Sequence, residues 1–463
     1  MLGHGIALVE RLAEVARTRN GSSAPSSETR KVSVIGAGYV GLVTSACLAS
    51  FGHRVTCLDI DANKIRSLRE GVLPIFEPGL DDLVLEGLDS GNLTYTTSYH
   101  DAMTVCDIAM VAVNTPPRPD GSAETTYVLD AVASLLEEAS PGTILAIKST
   151  VPVGTCDHID ELVAGSGLKV VSHPEFLRQG TAVKDFIGPD RIVVGSRDRE
   201  AGARLLDLYA SVEAPKVVCS RRSAELAKYV ANASLAIRVS FINEVASICD
   251  SVGADITTVS SIVGMDHRIG PNYLKAGLGW GGSCLPKDVM ALRSMAETNG
   301  NLTPILEAAS SVNARQPFEA VEAVISAGNL VEGSKVGVLG LAFKPDTDDT
   351  RSSPSLQIIQ QLLTAGMSVH AHDPAASHHL TDLYPQVTIC SDPYEVGEGA
   401  DAVILATEWR EYLDLDWLLL RTMMRGNVLF DGRCALDAEH LTSAGFEFIA
   451  PGRRAICNGG SSD

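Results

Sequence analysis

The chain has 463 residues, 45% of them hydrophobic, and its 37 Lys and Arg against 57 Asp and Glu give a formal charge of −20. That composition describes an acidic globular protein with room for two or three domains, and it excludes a disordered, collagenous or disulfide-stapled chain. Net negative charge without a basic run opposes binding to nucleic acid or to an anionic membrane surface, and no apolar stretch reaches the ~18 residues of a membrane span.

Residues 1–30 read as a flexible N-terminal extension. Glu10, Arg11, Glu14, Arg17 and Arg19 interrupt what would have to be the uncharged centre of a secretory leader, and 20–30 is a polar low-complexity linker. The folded body begins at Lys31. Lys31–Ile35 is a β-branched run, Leu42–Ser50 a small-residue helix and Arg54–Leu58 a second strand, together a βαβ unit. Further strands are expected at Ile108–Val113, Ile144–Lys148, Lys169–Ser172 and Arg191–Val194, so 31–215 reads as a parallel, doubly wound sheet. Ala224 to Val252 holds neither Gly nor Pro and spaces its apolar residues helically, which predicts a long helix within a central helical section, 216–317. The section 318–456 repeats the grammar of the first: Val336-Gly-Val-Leu-Gly echoes Val32-Ser-Val-Ile-Gly, and Val369-His-Ala-His-Asp echoes Val55-Thr-Cys-Leu-Asp. Residues 457–463 form a tail. Ten cysteines without one CxxC pair suit reduced thiols in the cytoplasm.

Gly36-Ala-Gly-Tyr-Val-Gly41 fits GxGxxG between a strand and a helix, where Gly36, Gly38 and Gly41 permit the tight turn, the approach of a pyrophosphate and close helix packing. Asp59, closing the second strand, is placed to accept both hydroxyls of a ribose and to repel a 2′-phosphate, so the expected cofactor is NAD. Lys64 is a candidate for the adenosine side. Val113-Asn-Thr-Pro-Pro117 and Lys148-Ser-Thr-Val-Pro152 follow strands, at the carboxyl edge where open α/β sheets bind ligands. Pro174-Glu-Phe-Leu-Arg-Gln179 does the same, and there Glu175 is a candidate general base. Lys228 and Asn232, four apart on the long helix, share a face and are candidate donors to a developing oxyanion; a solvated helix face is the competing reading.

Gly279-Trp-Gly-Gly-Ser-Cys-Leu-Pro-Lys-Asp288 is the most informative stretch. Glycines deliver Cys284 to a helix start marked by Pro286, where the helix dipole and Lys287 favour thiolate. Asp288, one turn on, can hold a water, a lysine or the thiol. His370, His372, His378 and His379 form the only histidine-rich region, but their spacing fits no compact ligand motif, so an alternating strand is the reading and no metal is expected. Lys344, Arg351 and Arg433 stand near strand ends of the last section and suggest an anionic substrate.

In combination these motifs, with VNTPP, KSTVPVG, ELAKYVAN, GMDHRIG, LAFKPDTDDTR and FDGR, resemble the nucleotide-sugar dehydrogenase family from about Lys31 to Gly452. The resemblance implies two Rossmann-like doubly wound domains joined by a long central helix and a helical dimerisation region, hence a homodimer or larger homo-oligomer. It implies oxidation of a CH2OH group to carboxylate with two NAD+, UDP-glucose as the substrate, and Cys284 as a nucleophile passing through a thiohemiacetal and a thioester. Lys228 and Asn232 would stabilise the oxyanion, Asp288 and Thr150 would position water or Lys228, and Glu175 would be the base in hydrolysis. The cofactor residues would be Gly36, Gly38, Tyr39, Val40, Gly41, Asp59, Lys64, Thr115, Ser149, Thr150, Gln179, Lys287 and Arg351. The substrate would meet Glu175, Phe176, Leu177, Lys228, Asn232, Tyr273, Lys275, Gly281, Phe343, Lys344 and Arg433, with Arg268 reaching a neighbouring subunit's substrate. Four residues depart from the family pattern: Gln179 for a glutamate, His173 for an asparagine, Trp280 for a phenylalanine and Cys434 for an arginine. A GDP-mannose or other nucleotide-sugar dehydrogenase is the nearest alternative, and a non-catalytic nucleotide-sugar-binding protein the more distant one.

Overall fold

The computed structural model describes residues 29–453; the expected extension, but for its last two residues, and the tail 457–463 lie outside the described residues. The described chain divides into two compact units, one of residues up to 118 with 123–228, the other of 119–122 with 229 onward.

The first unit is built on eight strands: β1 (Lys31–Ile35), β2 (Arg54–Leu58), β3 (Leu93–Thr96), β4 (Ile108–Val111), β5 (Ile144–Ile147), β6 (Lys169–Ser172), β7 (Ile192–Ser196) and β8 (Lys216–Cys219). Their order is β3-β2-β1-β4-β5-β6-β7-β8. The first six are parallel neighbours in the doubly wound order, with the reversal between β1 and β4. All four residues of β4 and of β5 are buried, the continuous apolar run of a strand covered on both faces. The expected all-parallel sheet is corrected at its far end, where β7 runs antiparallel to β6 through two residue pairs and then parallel to β8. β3 and β8 were not foreseen. Both are four-residue edge strands, and β8 leaves Val217 and Val218 about half exposed, so no burial pattern marks it.

In the second unit, β9 (Lys335–Leu339), β10 (Ser368–His372), β11 (Thr388–Ile389), β12 (Ala402–Leu405), β13 (Val428–Asp431) and β14 (Glu447–Ile449) form an all-parallel sheet in the order β11-β10-β9-β12-β13-β14, the arrangement of the first six strands repeated. Helices Ile256–Gly264, Leu285–Thr298 and Pro304–Gly328 precede it. The long helix runs Arg221–Val252, three residues earlier than expected, with 221–228 in the first unit and 229–252 in the second. Among the described residues no helix is long and apolar enough to cross a membrane.

One device recurs in both sheets. After the first strand comes a glycine with positive φ, Gly36 (φ +102) and Gly340 (φ +99), and the turn it opens is held by a carboxylate just past the second strand. In the second unit this is Asp373, whose Oδ2 accepts from Leu341 N (2.7 Å), Ala342 N (3.0 Å) and Trp409 Nε1 (3.1 Å) while Oδ1 accepts from Ala375 N and Ala376 N. His372, expected to mark an alternating strand, is buried there against Tyr412. Replacing a carboxylate that satisfies five donors, four of them buried, strands them, so Asp373→Ala should cost the second unit about 3 kcal/mol or more, read as a lowered midpoint in chemical denaturation.

Candidate active site

Three glycines of the turn after β1 have different reasons to be glycine. A Cβ on Gly36 would lie 2.8 Å from the Ala112 carbonyl oxygen, and one on Gly41 only 1.8 Å from that of Gly36, so the chain's own packing demands both. On Gly38 it would meet only Asn114 Oδ1 at 3.8 Å. Gly38 is the N-cap of helix Tyr39–Ser50, and no side chain caps that helix. Uncapped amides behind an unobstructed glycine fit a pyrophosphate. Asp59 is buried; its Oδ2 accepts from Ala37 N and from Lys64 Nζ, both at 2.9 Å, and its Oδ1 from Asp61 N at 3.0 Å. Oδ1 keeps a lone pair for a ribose hydroxyl, whereas Lys64 is turned onto Asp59 rather than outward.

Tyr39 is occupied within the protein. Its hydroxyl donates to the buried Glu77, which also accepts from Gly180 N (2.6 Å) and Ala182 N (2.7 Å). Glu77 thereby ties the glycine turn to the segment after Gln179, a half-buried side chain. This clamp was missed in the sequence, where Glu77 was given no role. Val40 packs against the core, Thr115 is buried at the β4 edge, Ser149 Oγ donates to Val113 O at 2.6 Å, and Thr150 is half-buried after β5.

Beyond β5 and β6 lies a buried ionic cluster. Lys228 Nζ stands 2.9 Å from Glu175 Oε1, with both side chains under a tenth exposed, and Glu175 Oε2 accepts from Leu177 N at 2.6 Å. Burial alone would raise the Glu175 carboxyl, but Lys228, that amide and Lys148 hold it below its ordinary value. Burial, with the charge of Lys228, pushes the Lys148 ammonium down to about 8, against the pull of Glu175. Phe176 carries Arg191 at 3.8 Å and Lys228 at 5.6 Å over its ring. His173, one of the departures, is a core residue: its ring bonds Tyr209 Oη (2.7 Å) and Val193 O (2.9 Å), and burial, then Lys148, lowers it to about 3, so it is neutral. Sequence reading gave Lys148 and Arg191 no role of their own beyond bounding a strand or motif.

In the second unit Cys284 is the N-cap of helix Leu285–Thr298 and is exposed. The glycines before it are forced by packing: a Cβ on Gly281 would lie 2.2 Å from the Ser352 carbonyl oxygen, and Gly282 (φ +81) would press on the Phe343 ring. Gly282 N donates to Arg351 O at 2.9 Å. The Arg351 guanidinium forks onto Asp349, and Asp349, then Cys284, raise it. Asp288 is fully buried beneath the thiol's turn; Asn232 Nδ2 donates to its Oδ2 at 2.5 Å and Lys287 Nζ lies 2.6 Å from its Oδ1. Lys287 is thus spent on Asp288, not aimed at the thiol.

Other expected residues are placed as follows. Arg433 Nε donates to Ala406 O (2.6 Å) and Nη2 to Phe343 O (3.1 Å), bracing the strand-end loops. Lys344 lies 5.6 Å from the Phe343 ring centre, Lys275 is exposed, and Tyr273 takes a left-handed φ of 61. Arg268 is exposed and forked onto its neighbour Asp266. The Trp280 indole is buried and donates to Ser240 Oγ at 2.9 Å, so this departure is a packing change. Cys434 also has a left-handed φ, and burial pushes its thiol up to about 12.

Three domain models of the UDP-glucose/GDP-mannose dehydrogenase family match the chain in order: the NAD binding domain over residues 30–213, the central domain over 222–315 and the UDP binding domain over 337–438. The chain is 41% identical over 433 residues to the UDP-glucose 6-dehydrogenase TuaD of Bacillus subtilis (strain 168), which covers 92% of this chain and 94% of that protein. It is 40% identical over 434 residues to the UDP-glucose 6-dehydrogenase of Rhizobium meliloti (strain 1021), at 91% and 99% coverage. The structure of a UDP-glucose dehydrogenase from the hyperthermophilic archaeon Pyrobaculum islandicum matches with a TM-score of 0.86 and 39% identity, covering 94% of this chain and 100% of that chain.

Two predictions follow from the geometry of the first unit. Gly38→Ala should weaken NAD binding at least ~10-fold with little change in melting temperature, whereas Gly41→Ala should lower the melting temperature itself; calorimetric titration and thermal unfolding separate the two. Because the folded Lys148 has a pKa of about 8 against 10.5, its buried charge burdens the fold below pH 8, and the burden lifts as pH rises from 8 to 10.5. Over that window wild type should gain about 3 kcal/mol relative to Lys148→Met, measured by denaturant titration at several pH values.

Proposed function

Because the chain belongs to the UDP-glucose/GDP-mannose dehydrogenase family, we propose that it oxidises the CH2OH group of UDP-glucose to a carboxylate, giving UDP-glucuronate. The observation that carries the mechanism is Cys284, exposed at a helix N-terminus over the buried Asp288. Bound NAD+ supplies the hydride acceptor, once per oxidation, held at Gly38, Asp59 and the amides of helix Tyr39–Ser50.

The chain's own groups do the rest. The Cys284 thiolate adds to the aldehyde carbon: a C–S bond forms, the carbonyl pair moves to oxygen, and a proton completes the thiohemiacetal. This keeps the aldehyde on the protein until the second oxidation makes the thioester. Water then adds to the thioester carbon, the C–S bond breaks, and the thiolate leaves the carboxylate product. At each stage with negative oxygen, the Lys228 ammonium and the Asn232 amide are the donors. Glu175, kept ionised, fixes Lys228 and can take a proton from the hydrolytic water; Asp288 orients Asn232. Thr150, at the β5 edge, positions water or Lys228. Lys344, Lys275 and Arg433 supply positive charge for the diphosphate.

We assign the reaction to the cytoplasm, in keeping with nine described cysteines that remain thiols, and to a homodimer. The long helix supports self-association by exposing Leu226, Val230, Phe241, Ile248 and Val252.

With limiting UDP-glucose and excess NAD+, about two NADH should form per sugar nucleotide. GDP-mannose in parallel tests the substrate choice. Cys284→Ala should reduce acid formation by at least ~10³-fold, and Lys228→Met by ~10²- to 10³-fold, in kcat. Undiminished turnover by Cys284→Ala would sink the covalent route.

A further inference from the structure

The histidine-rich stretch found no role in the reaction, yet the fold gives it one. His378 and His379 sit on helix Ser377–Leu383, and Asp348 comes from the loop 341–352. One ligating atom from each lies within 4.8 Å of the other two. We propose that Asp348, His378 and His379 bind one divalent transition-metal ion of the zinc type, which clips the loop 341–352 to this helix.

Three observations support the assignment. Neighbouring residues on a helix normally diverge, but the two imidazole rings lie with centroids 3.9 Å apart. Both sides of the site are anchored from beneath: Thr347 and Asp349 flank Asp348 and are buried, and Ser377 exchanges hydrogen bonds with Asp373, its Oγ accepting from Asp373 N at 3.1 Å and donating to Asp373 O at 2.8 Å. Two imidazoles and a carboxylate are a donor set for zinc-like ions, with water as the fourth ligand. Ligands at about 2.0–2.2 Å from a tetrahedral ion are closer together than 4.8 Å. Both histidines are exposed and turn without disturbing the core, so side-chain rotation closes the site. Sequence spacing concealed it because adjacent histidines fit no ligand motif and the third ligand is about thirty residues away, across one βαβ crossover.

The clip lies close to the thiol's support. The same loop supplies the Arg351 carbonyl that receives Gly282 N and the Ser352 carbonyl under Gly281. A bound ion therefore restrains the segment on which the cysteine loop leans. This inference does not depend on the dehydrogenase reading, and either can fail without the other.

The test is calorimetric titration of the full chain with Zn2+, with Co2+ absorption as a second probe, on wild type, Cys284→Ser, Asp348→Asn and the double variant His378→Ala/His379→Ala. The expected result is one ion per chain at micromolar affinity or tighter, unchanged in Cys284→Ser. Asp348→Asn and the double variant should each lose at least ~10-fold, and zinc should raise the melting temperature of wild type but not of the double variant. The histidines are exposed, so the double variant should fold, and circular dichroism confirms it. Absence of binding to wild type, equal binding by the double variant, or loss of binding in Cys284→Ser would each overturn the proposal, the last by placing the metal on the thiol.

Discussion

A carboxylate that accepts the backbone amides of a glycine turn organises both sheets. Asp59 and Asp373 occupy the same topological place, just past the second strand, and each draws the chain after the first strand into a tight, fixed corner. They differ in how much of the carboxylate is left. Asp373 is saturated by five donors, one of them the Trp409 indole, so the corner of the second sheet is closed. Asp59 takes two amides and one ammonium, and Gly38 beside it faces no side chain closer than 3.8 Å. One fold motif, used twice, thus makes one corner whose carboxylate keeps room for a dinucleotide's ribose and one whose carboxylate is wholly taken up by the protein.

The cluster around Glu175 obeys a different economy. Two ammonium groups and one carboxylate are withdrawn from water, with His173 held neutral beside them, which leaves one net positive charge. Burial opposes such charges, and attraction to Glu175 offsets only part of the cost, as the lowered Lys148 shows. A structure under selection for stability alone would favour an apolar core here. Preorganised positive charge in a site poor in water is, however, what stabilises a transient oxyanion, because the protein need not reorganise when the negative charge appears. On the proposed mechanism, the cost to stability and the benefit to catalysis have the same physical origin.

The sequence made the frame legible because its strongest signals were local. Parallel strands buried on both faces announce themselves as apolar runs, and β1, β2 and β6 begin and end where the pattern put them. Edge strands carry no such signal, which is why β3 and β8 were invisible and why the antiparallel step at β7 went unforeseen. Among site residues, the sequence identified groups but not their partners. Lys287 and Lys64 were credited with reaching outward, yet each closes on a nearby carboxylate. Glu77 and Lys148 were overlooked because their surroundings come from segments distant in the chain: Glu77 meets Tyr39 and Gly180, and Lys148 feels Glu175 and Lys228.

Cysteine chemistry shows how much is decided by place. Eight of the nine described cysteines have thiols pushed up by burial, including Cys47, Cys57 and Cys156 in the core. Cys284 is the exposed one, at a helix N-terminus where a thiolate meets uncapped amides. Asp288, one turn away, would by itself oppose that thiolate. Its charge is instead met by Lys287 at 2.6 Å and by the Asn232 amide at 2.5 Å, so the carboxylate orders the ground beneath the cysteine without repelling its anion. The lysine next to Cys284 therefore acts through the aspartate: by cancelling a buried negative charge it leaves the helix dipole unopposed at the sulfur.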